Sequence, residues 1–126
     1  MTDINKTDIF VFGSNLAGRH GKGAALFAKN HRGAIYGKGI GLQGESYAIP
    51  TKDAKLKTLT LIDIQKYIID FIEFARENQN MNFKVTPIGC GLAGYKPCDI
   101  APLFDVENLP DNILLPYEFL IVLEKL

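Results

Sequence analysis

Only two cysteines occur in the sequence, Cys90 and Cys98. They lie too near each other to staple much chain, and neither has His or Cys companions at zinc-ligand spacing. That usage fits a reducing, cytoplasmic setting better than a secreted one. Net charge is missing as well: 14 acidic side chains balance 14 basic ones. A general nucleic-acid binder, which neutralises phosphates with a basic face, is therefore disfavoured, and a small ligand is expected instead. No apolar stretch approaches the roughly 20 residues that a membrane helix needs, and the N-terminal run Ile9 to Phe12 is too short for a signal-peptide core. Repeats, linkers and low-complexity tracts are absent too. The remaining expectation is one ordinary globular domain over residues 1–126.

Ile9-Phe10-Val11-Phe12 is β-branched and aromatic throughout and ends at Gly13, which predicts a strand buried on both faces of a sheet. Gly13 to Gly23 reads as a glycine-rich loop feeding a helix that starts between Gly21 and Ala24, because Ala24 to Lys29 is rich in helix formers. Residues 33–44 carry glycines at 33, 37, 39, 41 and 44 and predict a long surface loop. Ser46 to Thr51 predicts a second strand, with Pro50 limiting its length or marking an edge or bulge. From Thr60 onward Leu61, Ile64, Ile68, Phe71, Ile72 and Ala75 recur at helical spacing, with a capping-box-like start at Thr60 and Asp63. Phe83 to Ile88 predicts a third strand that runs into a second glycine-rich loop. Pro97 to Phe104 can begin a helix with Asp99 near its first turn, and Glu118 to Leu123 predicts the last strand. Strands alternating with helices point to an α/β sheet covered on both faces, whose ligand sits beyond the strands' carboxyl ends. Both glycine-rich loops emerge there.

Gly18, Gly21 and Gly23 remove side chains that would hold an anion away from the backbone. The free amides and positive dipole end of the following helix favour negative charge. A turn that needs positive φ is the competing reason for glycine at these positions. Arg19, His20 and Lys22 form one local basic cluster and Lys52, Lys55 and Lys57 another; each either serves a diphosphate or is solvated loop charge. Walker A is excluded, since no Gly-Lys-Ser or Gly-Lys-Thr occurs. Gly39 to Gly44 matches G-x-G-x-x-G formally, but it precedes a strand and opens no helix. The second loop, Ile88-Gly89-Cys90-Gly91-Leu92-Ala93-Gly94-Tyr95, offers approachable amides of its own, so the two loops can clamp one diphosphate. Tyr95 then stacks on a ring or walls the pocket, or else packs with Leu92 in the core.

Gly13-Ser14-Asn15 with Gly18 to Ala25, then Tyr47-Ala48-Ile49-Pro50-Thr51-Lys52, then Ile88-Gly89-Cys90-Gly91-Leu92, together resemble a macrodomain. The resemblance is closest to the branch typified by terminal ADP-ribose protein glycohydrolase, where a Gly-x-Gly-Ile/Ala-Ala, an Ile-Thr-Lys and an Ile-Gly-Cys-Gly-Leu segment follow in this order. The last of these is the specific part. Similarity spans about residues 8 to 104, and the predicted last strand fits it.

The resemblance implies a compact three-layer α/β/α sandwich with a mixed central sheet and an ADP-ribose cleft between the loops. ADP-ribose or a related NAD-derived nucleotide, free or attached to a macromolecule, would be the partner, with no metal or cofactor. Asn15 would lie near the distal ribose, Gly21 and Gly23 by the diphosphate and ribose, and Gly89, Cys90, Gly91, Leu92, Ala93, Gly94 and Tyr95 over the phosphates. Gly13, Ser14, Gly18, Lys22, Ala24 and Thr51 complete the expected lining. Macrodomains often read adenine with an aspartate just before a strand, which here would be Asp3 or Asp8.

Lys52 matches the family's catalytic lysine, which attacks the anomeric carbon of the distal ribose and forms an imine-type adduct. An amine is a useful nucleophile when desolvation or a nearby cation lowers its pKa. The family's acidic residue after the second loop's Leu is replaced here by Ala93. Two readings follow: an ADP-ribosyl glycohydrolase with Lys52 as nucleophile, or a non-catalytic reader or sequestering protein. In the first, Asp53 or Asp99 stands in for the carboxylate, although each also has a structural reading as a loop charge or helix cap. His20 is the other catalytic candidate, as proton donor, phosphate ligand or acid-base group of a phosphatase. Cys90 reads as a small apolar filler.

Overall fold

The structure, a computed structural model, describes residues 6–126. Strand β1, Thr7–Asn15, puts Ile9 and Val11 into one core layer and Phe12, with half-buried Phe10, into another. Both faces are covered, which is why polar alternation is missing from its sequence. Helix α1, Gly23–His31, packs on the Phe10 and Phe12 side through the small residues Ala25 and Ala28. Strands β2, Gly41–Gln43, and β3, Ser46–Lys52, form an antiparallel pair. Residues 33–44 are therefore a loop only as far as Ile40, and the edge strand that ends them corrects the long-loop reading. Buried Gln43 marks it: its amide group receives the Ile35 amide and donates to the Lys38 and Gly41 carbonyls. At Pro50, β3 has passed beyond β2 and pairs only with β1, where the register shifts between Ser14 and Asn15. No ladder hydrogen bond is lost to the missing N–H.

Helix α2, Leu61–Glu77, follows the predicted pattern, with Ile64, Ile68, Phe71, Ile72 and Ala75 buried. The Thr60 hydroxyl caps it by accepting from the Asp63 amide at 3.2 Å. Strand β4, Met81–Val85, is shorter than predicted at its end, because Pro87 has no N–H and the Ile88 amide turns back to the Thr86 carbonyl at 2.6 Å instead of extending the ladder to β1. Helix α3, Pro97–Ile100, continues as a 3₁₀ turn over Ala101–Phe104. Strand β5, Ile113–Leu114, is short, and α4, Tyr117–Glu124, closes the described chain.

The last element corrects the predicted strand over Glu118 to Leu123. Phe119 is fully buried while Tyr117 and Ile121 are exposed, whereas in a strand those three would share a face. Pro116 starts the helix, its carbonyl receiving the Phe119 and Leu120 amides. The missed edge strand is Ile113–Leu114, paired in parallel with Phe83 and Lys84.

Sheet order is β2-β3-β1-β4-β5, parallel except for β2. With α1 on one face and α2, α3 and α4 on the other, this is a three-layer α/β/α sandwich around a mixed sheet. Among the described residues no helix is long and apolar enough to cross a membrane.

Candidate functional site

A cleft of about 860 Å³ lies over the carboxyl ends of β1, β3 and β4, inside the roughly 300–1,000 Å³ range of small-molecule sites. The first loop contributes Gly13, Ser14, Asn15, Gly21, Lys22, Gly23 and Ala24. Thr51 and Lys52 come from the end of β3, and Gly89, Cys90, Gly91, Leu92 and Ala93 from the second loop. Residues far apart in sequence are thus gathered at one place by the parallel pairing of β3 and β4 with β1.

Gly18, His20, Gly94 and Tyr95 stand outside the lining. Gly18 has φ +70°, and a Cβ there would lie 2.3 Å from the Gly37 carbonyl carbon and 2.4 Å from the Lys38 nitrogen. Its glycine serves the packing of the loop against residues 37–38. His20 is 0 % exposed; its Nε2 lies 2.9 Å from the Lys38 carbonyl and 3.2 Å from Gln43 Oε1. Two acceptors make Nε2 a protonated nitrogen of the ring, and Phe12 meets that ring edge-on at 5.3 Å. It is a core side chain beneath the loop, so the geometry lends no support to an acid-base or phosphate-binding part for His20. The Tyr95 hydroxyl donates to the Leu59 carbonyl at 2.6 Å and its ring packs against the larger core. Gly94, at φ +88°, forms a turn with its amide on the Gly91 carbonyl.

Asn15 lines the cleft and also shapes it: its Nδ2 donates to the Arg19 carbonyl and its Oδ1 accepts from the Arg19 amide. One N–H and one lone pair are left over. The aspartates are elsewhere. Asp53 Oδ1 accepts from the Lys55 and Lys57 amides, Asp99 caps α3 through the Lys96 amide, and Asp8 pairs with Lys84 at 3.0 Å at the far end of β1. Asp3, the other adenine-reading candidate, lies outside the described residues.

Two features give the cleft its chemistry. The amides of Gly21, Lys22, Gly23, Ala24 and Ala25 on one side, and of Gly89, Gly91, Leu92 and Ala93 on the other, take part in no loop or turn hydrogen bond among the described residues. Such unpaired donors attract an anion. Second, Gly21 and Gly91 have no atom within 4 Å of where a Cβ would stand and no positive φ. Nothing in the fold requires glycine there, yet both line the cleft.

Charge agrees with the amides. Among the described residues, Arg19, Lys22 and Lys52 line the cleft against a single carboxylate, Glu118. Lys55 and Lys57 do not reach it. The Cys90 thiol is pushed up to about 11 by burial first and then by Asp99, Glu118 and Cys98, so at neutral pH it is protonated and a poor nucleophile. Sequence reasoning missed Tyr36, Leu56, Thr86, Pro87, Pro97 and Glu118 as lining residues and placed Arg19 only in a basic cluster. Pro116, an entry signal for a helix, would have pointed to Glu118 in a first turn. Comparison of the chain with protein-family models, with curated proteins and with solved structures found no match.

Proposed function

We propose that this chain is a macrodomain that binds ADP-ribose or a related NAD-derived nucleotide, the diphosphate lying between the two glycine-rich loops. The observation that carries the reading is the pair Gly21 and Gly91, which leave side chains out of the cleft where the fold could accept them. Unpaired amides on both loops and the cations Arg19, Lys22 and Lys52 support a doubly charged guest. Calorimetric titration with ADP-ribose tests it. At a hundredfold the dissociation constant the ligand stabilises the fold by about 2.7 kcal/mol, so absence of both heat and a melting shift removes the proposal.

Lys52, at the end of β3 in the cleft, makes ADP-ribosyl cleavage the accompanying activity: the neutral amine attacks the anomeric carbon of the distal ribose, the bond to the linked carboxylate breaks and the carboxylate leaves, and water then hydrolyses the adduct to return the amine and release ADP-ribose. Its test is release of ADP-ribose from ester-linked substrate: wild type releases it and Lys52→Ala does not, while both bind. A second reading, a non-catalytic reader, draws on Ala93, whose carbonyl is held by the Thr58 hydroxyl at 2.9 Å, and on Asp53 and Asp99 being occupied by backbone amides. Ligand recovered intact after long incubation with wild type selects the reader.

A further inference from the structure

The cleft is polarised in a way that bears on what else its ligand carries. Arg19 and Lys22 belong to the loop that enters α1, on one side of the sheet. Glu118 comes from the first turn of α4, which packs on the opposite side through Phe119. Cationic and anionic walls therefore face one cavity from the two faces of the sheet. Among the described residues the Glu118 carboxylate makes no ion pair, and its charge is felt at Cys90 on the second loop. An acidic residue in a helix's first turn also eases the helix dipole, but that reason applies equally to a side chain facing away from the cleft.

A free carboxylate repels a phosphate, and more strongly in a cleft than in bulk water. It is compatible with an anion site only if it meets the uncharged part of the ligand, and a carboxylate can only accept hydrogen bonds. The donors of a nucleotide are its sugar hydroxyls and its base amine. Two carboxylate oxygens match two vicinal hydroxyls, as when an acidic side chain holds the hydroxyls of a dinucleotide's ribose. We propose that Glu118 accepts hydrogen bonds from the vicinal hydroxyls of a ribose, so that the cleft selects sugar-bearing diphosphates over bare ones. This rests on the nucleotide reading of the same cleft. Asp53 and Asp99 cannot take this part, because backbone amides hold them and neither lines the cavity.

Calorimetry on the full chain tests it with ADP-ribose, its hypoxanthine analogue and inorganic pyrophosphate, using wild type and Glu118→Gln. The exposed position on α4 makes a folding defect in the variant easy to check by its melting curve. Glu118→Gln should bind ADP-ribose and the hypoxanthine analogue about tenfold more weakly, the loss of a charge-assisted hydrogen bond. Pyrophosphate should bind unchanged or tighter, since a repelling charge is gone. Unaltered ADP-ribose binding by the variant, equal weakening of pyrophosphate, or a loss confined to the adenine ligand each overturns the assignment of Glu118 while leaving the nucleotide reading in place. Wild type that fails to bind ADP-ribose overturns that reading and this one with it.

Discussion

Behind the first glycine-rich loop stands a second layer of chain. Gly18 rests on Gly37, a Cβ on Gly39 would come within 2.1 Å of the Asn15 carbonyl oxygen, and the Ser14 hydroxyl donates to the Gly39 carbonyl. His20 and Gln43 tie the same segment from inside. The second loop is backed only near its ends, where Gly89 is buried at φ +76° with Ile100 behind it and Tyr95 packs on the core; between them Leu92 is 66 % exposed and Gly91 and Gly94 are exposed, with ties from the Tyr95 amide to Gly89, the Tyr95 hydroxyl to Leu59 and the Thr58 hydroxyl to Ala93 among others. One loop is thus held along its length by packed backbone and buried polar groups, the other at its two ends, with its tip from Gly91 to Gly94 held by a few hydrogen bonds near solvent. Packing requires glycine in the first case, behind the cleft, and requires it neither at Gly21 nor at Gly91, which line it. Under the proposed function the first loop would be a preformed anion cradle, which avoids ordering costs on binding.

Breaking the backing should have the largest effect. Gly18→Ala places a Cβ against backbone on a residue at φ +70°, so stability should fall by about 3 kcal/mol or more, read as a Tm lower by roughly 10 °C. Wild-type melting would mean that residues 37–38 can retreat and that the two loops are not so different. His20→Ala comes next: loss of a fully buried ring and its hydrogen bonds should cost about 2 kcal/mol in chemical denaturation. Folded variant should still bind ADP-ribose, and normal stability with lost binding would return His20 to the ligand. The smallest effects sharpen the contrast. Gly21→Ala and Gly91→Ala should leave stability within about 0.5 kcal/mol of wild type or raise it, as Gly→Ala does at unstrained sites. ADP-ribose affinity should drop about tenfold at Gly21, where the loop cannot yield, and only about threefold at Gly91, where it can. Equal losses in calorimetry would erase the distinction.

Much of the fold was legible along the chain. The buried run Ile9 to Phe12 and the helical spacing from Leu61 to Ala75 were readable because side-chain period follows directly from backbone geometry. Glu118 to Leu123 was misread for the opposite reason: a short apolar run carries no period, and length alone did not separate strand from helix. The segment matters for the site, since it is from the first turn of this helix that Glu118 lines the cleft. Among glycines, the sequence cannot distinguish Gly18, which the fold needs, from Gly21, which it does not. That difference lies in what stands 2 to 4 Å from an absent Cβ, and those neighbours come from elsewhere in the chain.

Local chemistry along the chain by itself determined the layered class, the starts of α1, α2 and α3 and the two loops that leave strand ends, because propensity, capping and periodicity act between residues a few positions apart. Tertiary structure alone decided that the loops share one cleft, that His20 and Tyr95 stand outside its lining, that Asp53 and Asp99 accept from backbone amides and that, among the described residues, the Glu118 carboxylate makes no ion pair. Strand order and register bring residues tens of positions apart into contact, and no short-range rule encodes which polar group finds its partner there.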